Sequence, residues 1–145
     1  MINSFDKEYY FLSNYYPSKI TFEGIEYKTV EHAFQAAKSL DNFERYTIAM
    51  MPTPGRAKQM GRSINLRADW EEVKESVMET CLREKFAIPE LREKLLATGD
   101  EELIEGNTWH DNTWGDCICA GCADNPGRNL LGKLLMKIRE ELKEE

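Results

Sequence analysis

The segment NLLGKLLMKIREELKEE, Asn129 to Glu145, constrains the chain most: Leu131, Leu134, Leu135, Ile138 and Leu142 recur at helical spacing and share one side. A helix with so continuous an apolar side must be covered by the rest of the chain, so it is expected to close a core, with its charged tail exposed. The 145 residues fall within the roughly 100–200 that one core can organise. No internal repeat, low-complexity stretch or linker rich in Gly, Pro and Ser interrupts them. One domain over residues 1–145 is therefore expected.

Punctuation elsewhere predicts more helix than strand. KITFEGIEYKT alternates Ile20 and Phe22 with polar neighbours, turns at Glu23-Gly24 and resumes with Ile25 and Tyr27, which is a short hairpin. Thr29 then stands as the cap of a helix with an apolar stripe of Val30, Phe34 and Ala37. PGRAKQMGR reads as a short helix stopping at Gly61. Asp69, with Glu72 three residues on, predicts a capping box ahead of a longer helix whose buried side holds Val73, Val77, Cys81 and Phe86. PELREKLLATG reads as a brief helix between proline and glycine, and EELIEGNTW as extended chain. The sum is a helix-dominated α+β domain with a small β element.

The formal net charge of −7 disfavours a polyanion as long-range partner, but a few arginines in a cleft suffice for one phosphorylated ligand or one flipped-out nucleotide. No apolar run reaches the roughly 18–20 residues of a membrane span, and no basic-then-apolar leader opens the chain, so a cytoplasmic protein without a membrane partner is expected. Of four cysteines, Cys117, Cys119 and Cys122 crowd into CICAGC, a poor layout for a disulfide framework.

Three groups of residues can carry chemistry. On the Thr29-capped helix, Glu31, Gln35 and Lys38 lie within about 60° of one another and can converge on one ligand, although the pattern fits a solvated face as well. GNTWHDNTWGD packs Trp109, His110, Asp111 and Trp114 into a loop. Its indoles can stack on a base or plug a core, and its aspartates can polarise water or shape turns. Trp70 can staple its helix or face a pocket. The C-x-C-x₂-C spacing of Cys117, Cys119 and Cys122 can supply three thiolates to zinc, with His110, Cys81 or Asp116 as the fourth ligand. Reduced cysteines about a tight turn are the expectation, with no metal and no cofactor. The pairs Gly55-Arg56, Gly61-Arg62 and Gly127-Arg128 can offer guanidinium and N–H groups to phosphate.

Taken in order, FLSNYYPSKITFEGIEYKTVEHAFQAAK, AKQMGRSINLRADW, HDNTWGD and GRNLLGKLLMKIRE resemble the blocks of the NADAR family, also called YbiA-like, over nearly the whole chain. The resemblance implies a YbiA-like fold and an N-glycosidase. One branch hydrolyses phosphorylated ribosylamino-pyrimidines, early intermediates of riboflavin synthesis. Another removes ADP-ribose from guanine in DNA, reversing a DarT-type toxin. A non-catalytic binder of ADP-ribose is a third reading. Carried over by position, Glu31, Asp111, Trp70 and Trp114 match functional positions, with Asn14, Tyr27, Gln35, Lys38, Arg62 and Asn129 as pocket companions and Trp109 beside them. CICAGC departs from the shortest members, which have glycines there.

Breaking a ribosyl C–N bond builds positive charge on the sugar and negative charge on the departing base. An ionised Glu31 or Asp111 near C1′ would answer the first, and an indole would grip the base. Alternatively the Lys38 amine attacks C1′ of the opened sugar, provided burial lowers its pKa. Direct hydrolysis would leave Lys38 to hold phosphate or protonate the leaving base.

Overall fold

The computed structural model describes residues 1–145, which divide into two compact units: Asn14–Ile88, and Met1–Ser13 with Pro89–Glu145. Both are helix-rich and each carries one two-stranded sheet. No helix is long and apolar enough to cross a membrane.

The unit Asn14–Ile88 begins with the expected hairpin. Strands β1 (Ile20–Phe22) and β2 (Ile25–Tyr27) pair antiparallel with Ile20 opposite Tyr27, and the turn places Glu23 and Gly24 at positive φ. Strand residues alternate buried and exposed, so one face of the hairpin is covered. Helix α1 (Val30–Ala37) follows, with Thr29 Oγ1 accepting the His32 N–H. The Thr29 hydroxyl in turn donates to His32 Nδ1 at 2.8 Å, while His32 Nε2–H donates to the Met51 carbonyl at 2.9 Å. Burial, the main cause, lowers the His32 pKa and keeps the ring neutral in this cap.

Helices α2 (Asn42–Ala49), α3 (Pro54–Met60) and α4 (Trp70–Phe86) and the hairpin all pack on α1. Helix α1 is thus the hub of its unit, and all eight of its residues are buried. Helix α2 had no clear sequence signal because its aromatic residues lie outside: Phe43 and Tyr46 are 79% and 54% exposed, and Arg45 and Ile48 are the residues buried. Its start is fixed by Asp41 Oδ1, which accepts from the Phe43 N–H, and Lys28 Nζ donates to the Met51 carbonyl just past its end.

The capping box expected at Asp69 does not form. Asp69 is the N-cap of α4, but its carboxylate takes two hydrogen bonds from Arg67, at 2.6 and 3.0 Å, so a stronger charge-assisted partner displaces the backbone N–H. Val77, Cys81 and Phe86 are buried as their spacing predicts.

In the other unit, helix α5 (Pro89–Ala97) packs on α6 (Leu130–Lys143) and on the 3-10 segment Lys7–Leu12. Leu131, Leu134, Leu135 and Ile138 form the buried side of α6, and Leu103 pairs in parallel with Ile2. Arg139 is buried and donates to Thr98 Oγ1 and the Glu101 carbonyl, tying α6 to the end of α5. Strands β3 (Gly106–Asn107) and β4 (Asp116–Cys117) pair in parallel, a contact that spacing did not announce because eight residues of loop separate them.

Candidate functional site

Glu31 and Gln35 stand one turn apart on α1 at 8% and 4% exposure, so the arc that pattern alone allowed to be solvated lies inside. Gln35 Nε2 donates to Glu31 Oε2 at 2.7 Å, and the Glu31 N–H donates to the Asn14 carbonyl at 3.1 Å. A carboxylate on a wholly buried helix is costly unless its lone pairs are met, which makes it a candidate functional group. Three buried polar atoms of the same unit remain without a partner: Gln35 Oε1, Asn14 Oδ1 and the Tyr27 hydroxyl. Asn14 Nδ2 donates only to the weak acceptor Met78 Sδ.

Gly61 is the surface against which Gln35 rests. A Cβ at Gly61 would fall 2.0 Å from Gln35 Oε1, so the absence of a side chain at residue 61 is what lets the amide lie as it does. Lys38, the C-cap of α1, is half-buried. Burial lowers its pKa, Glu31 opposes this, and the charges of Lys58 and Arg62 add to it. Glu31, Gln35, Lys38, Lys58 and Arg62 therefore form one electrostatic neighbourhood. The loop after α3 seals the end of α1, with the Arg67 N–H donating to the Lys38 carbonyl at 2.7 Å.

Tyr27 and Trp70 are buried as well. Tyr27 is 1% exposed, its hydroxyl has no partner, and burial pushes its pKa up to about 12, so it stays protonated. Trp70 packs on Phe34 with ring centres 5.0 Å apart and planes at 56°, which makes it a staple between α4 and α1.

The remaining expected residues belong to the other unit. Asp111 Oδ1 accepts the N–H groups of Thr113 and Trp114, at 3.1 and 2.9 Å, which is the turn-shaping role of an aspartate. Trp109 is 61% exposed and Trp114 half-buried, so neither indole plugs a core. Asn129, at φ 51°, donates from Nδ2 to the Leu103 carbonyl and accepts the Glu105 N–H at Oδ1. Its side chain is thus engaged with backbone. Two asparagines that sequence reasoning passed over do comparable work: Asn107 accepts the N–H groups of Trp109 and Asp111, and Asn112 that of Cys117. Asx-turn spacing was the available signal.

The Gly-Arg pairs do not form N–H cradles for phosphate. The N–H of Gly127 goes to Asp116 Oδ1 and that of Arg128 to the Asn112 carbonyl, while those of Arg56, Gly61 and Arg62 are spent on Thr53, Ala57 and Gln59. The guanidinium groups are left for an anion.

Around His110 the three neighbouring cysteines gather: its Nδ1 lies 3.4 Å from Cys119 Sγ, 3.4 Å from Cys122 Sγ and 3.7 Å from Cys117 Sγ. Burial works against ionising Cys117, but hydrogen bonds from Cys119 draw its pKa down to about 7, and Cys122, bonded to Cys117, is pushed up to about 11. Cys81 is buried in α4, where desolvation raises it to about 12, and Asp116 is occupied with Gly127.

A helix-centred fold with a buried carboxylate–amide pair on its hub defines a class, and the family model described as NADAR domain matches residues 2–143: the chain belongs to the NADAR family. It is 44% identical over 133 residues to N-glycosidase YbiA of Escherichia coli strain K12, covering 90% of this chain and 79% of that protein. An N-glycosidase of Nostoc punctiforme is 38% identical over 137 residues, covering 90% and 84%. The solution structure of Escherichia coli YbiA superposes with a TM-score of 0.81 at 39% identity, over 99% of this chain and 87% of that one.

Proposed function

We propose that this chain is an N-glycosidase that hydrolyses the C1′–N bond of a small phosphorylated ribosylamino-pyrimidine. The class of activity follows the family and its N-glycosidase relatives; a riboflavin biosynthesis protein of Vibrio vulnificus is also 37% identical over 142 residues, which cover 96% of this chain and 37% of that protein. The observation that carries the reading is the buried Glu31–Gln35 pair with the depressed amine of Lys38 three residues on.

A ribosylamine opens to an imine at C1′, and a neutral amine can add to it. Lys38 is suited to this because burial and the charges of Lys58 and Arg62 favour its neutral form. Its Nζ bonds to C1′, the C1′–N bond to the base breaks, and Glu31 returns a proton to the departing amine. Water then adds to the Lys38 imine with Glu31 as base, and ribose phosphate and free lysine are regenerated. Gln35 holds the Glu31 carboxylate, and Arg62 with Lys58 binds the phosphate by charge.

Mass spectrometry of products tests the reading, with purified protein given a ribosylaminopyrimidine 5′-phosphate and, separately, ADP-ribosyl-guanine DNA. Base and ribose phosphate released from the first are expected. Restored guanine with free ADP-ribose from the second, and nothing from the first, would make it a DNA-repair glycosidase. Tight binding without cleavage of either would make it a binder.

A further inference from the structure

We propose that His110, Cys117, Cys119 and Cys122 form a closed tetrahedral site for a thiophilic divalent cation, zinc foremost, which clamps the loop between β3 and α6. The inference is independent of the glycosidase reading. One donor atom from each residue lies within 4.8 Å of all the others. With Zn–S near 2.3 Å and Zn–N near 2.0–2.1 Å, a tetrahedral centre needs N···S edges of about 3.5 Å and S···S edges of about 3.8 Å. The three N···S distances here, 3.4, 3.4 and 3.7 Å, bracket the first value. The His110 nitrogen already stands at ligand spacing from all three sulfurs, and the sulfurs lie within 4.8 Å of one another.

The donor set decides the metal class. Three thiolates and an imidazole are soft to borderline ligands, which favour zinc and disfavour magnesium or calcium. Four protein ligands leave no position for water, so the centre is structural and does not activate a nucleophile.

The surrounding backbone is built to hold this arrangement. Asn107 fixes Trp109 and Asp111, the residues on either side of His110, and His110 itself sits at φ 68°, a left-handed geometry that turns its ring into the loop. The Cys117 N–H is held by Asn112 Oδ1 at 2.8 Å, and Cys119 opens the 3-10 turn Ala120–Cys122 that brings Cys122 back. Asp111, Asn112 and Trp114 lie between the first two ligands, so the metal would fix the segment that presents them.

The test uses the full chain, purified under reducing conditions. Metal analysis by plasma mass spectrometry is expected to give one zinc per chain. After chelation, Co(II) is expected to bind one to one with the intense visible bands of a tetrahedral thiolate centre, displaced by zinc. Cys119→Ser and Cys122→Ser should each weaken Co(II) binding at least ~100-fold, at or beyond the upper end of what losing an outer-shell partner costs, while Cys81→Ala leaves it unchanged. Should a variant fail to fold, alkylation of the unmodified chain decides: zinc should protect three of the four thiols beyond the burial of Cys81, and chelator should expose them. Absence of Co(II) uptake by the reduced chain, octahedral Co(II) spectra, or a disulfide within the cluster that persists in place of metal would overturn the proposal.

Discussion

At the scale of single residues, the proposed chemistry rests on Glu31 and its support. Glu31→Gln keeps the shape but not the proton acceptor, and turnover should fall at least ~100-fold in the product assay, the usual size of an acid–base loss. Gly61→Ala tests the support, because its backbone is in the ordinary helical region and the three atoms nearest the added methyl all belong to Gln35. Gln35 must swing away, its bond to Glu31 breaks, and turnover should drop roughly tenfold, about the worth of one oriented hydrogen bond, with little change in Tm. Lys38 is tested by borohydride reduction during turnover: a pentose phosphate adduct on Lys38 is expected, and Lys38→Arg should give none. The rate should also rise with pH through a pKa below the ordinary lysine range, since only the neutral amine attacks. Glu31, Gln35 and Lys38 were legible as an arc from spacing; that the arc is interior was not, because its apolar and polar residues turn out equally covered by α2, α3, α4 and the hairpin.

At the scale of elements, α4 carries a group that local pattern gives no reason to bury. Lys85 is wholly enclosed, its Nζ 5.7 Å from the Tyr16 ring centre and 5.2 Å from that of Phe86, and burial pushes its pKa down from 10.5 to about 7. The unfolded chain therefore binds more protons than the folded one between those values, so this residue makes stability rise with pH from about 7 to 10.5. Lys85→Met should raise Tm at pH 7, and the gain should shrink toward pH 10 in thermal melts. The start of α6 depends on Asn129, whose side chain joins Leu103 and Glu105 of the preceding extended chain. Asn129→Ala strands two backbone groups and puts alanine at positive φ, and should cost about 2–4 kcal/mol in chemical denaturation. Helix α6 itself was readable from its leucines, whereas α2 was not, since its exposed Phe43 and Tyr46 blur the period.

At the scale of the whole molecule, the net charge of −7 sets which substrate can approach. A small dianionic nucleotide needs only the local cations Lys58 and Arg62, but a duplex feels the full field, so kcat/KM for the ribosylamino-pyrimidine phosphate should far exceed that for modified DNA, with the gap widening at low salt. Sequence by itself determined the hairpin, the capped start of α1, the proline and glycine limits of the short helices, and the stripe of α6, because each is set by neighbours within a few positions. It also held the three cysteines and the four family blocks. Only the tertiary structure decided that Glu31 is buried against Gln35, that Asp69 serves Arg67, that β3 meets β4, and that His110 closes on the cysteines, because those outcomes depend on competition among partners distant in sequence or on loop geometry that no local period encodes.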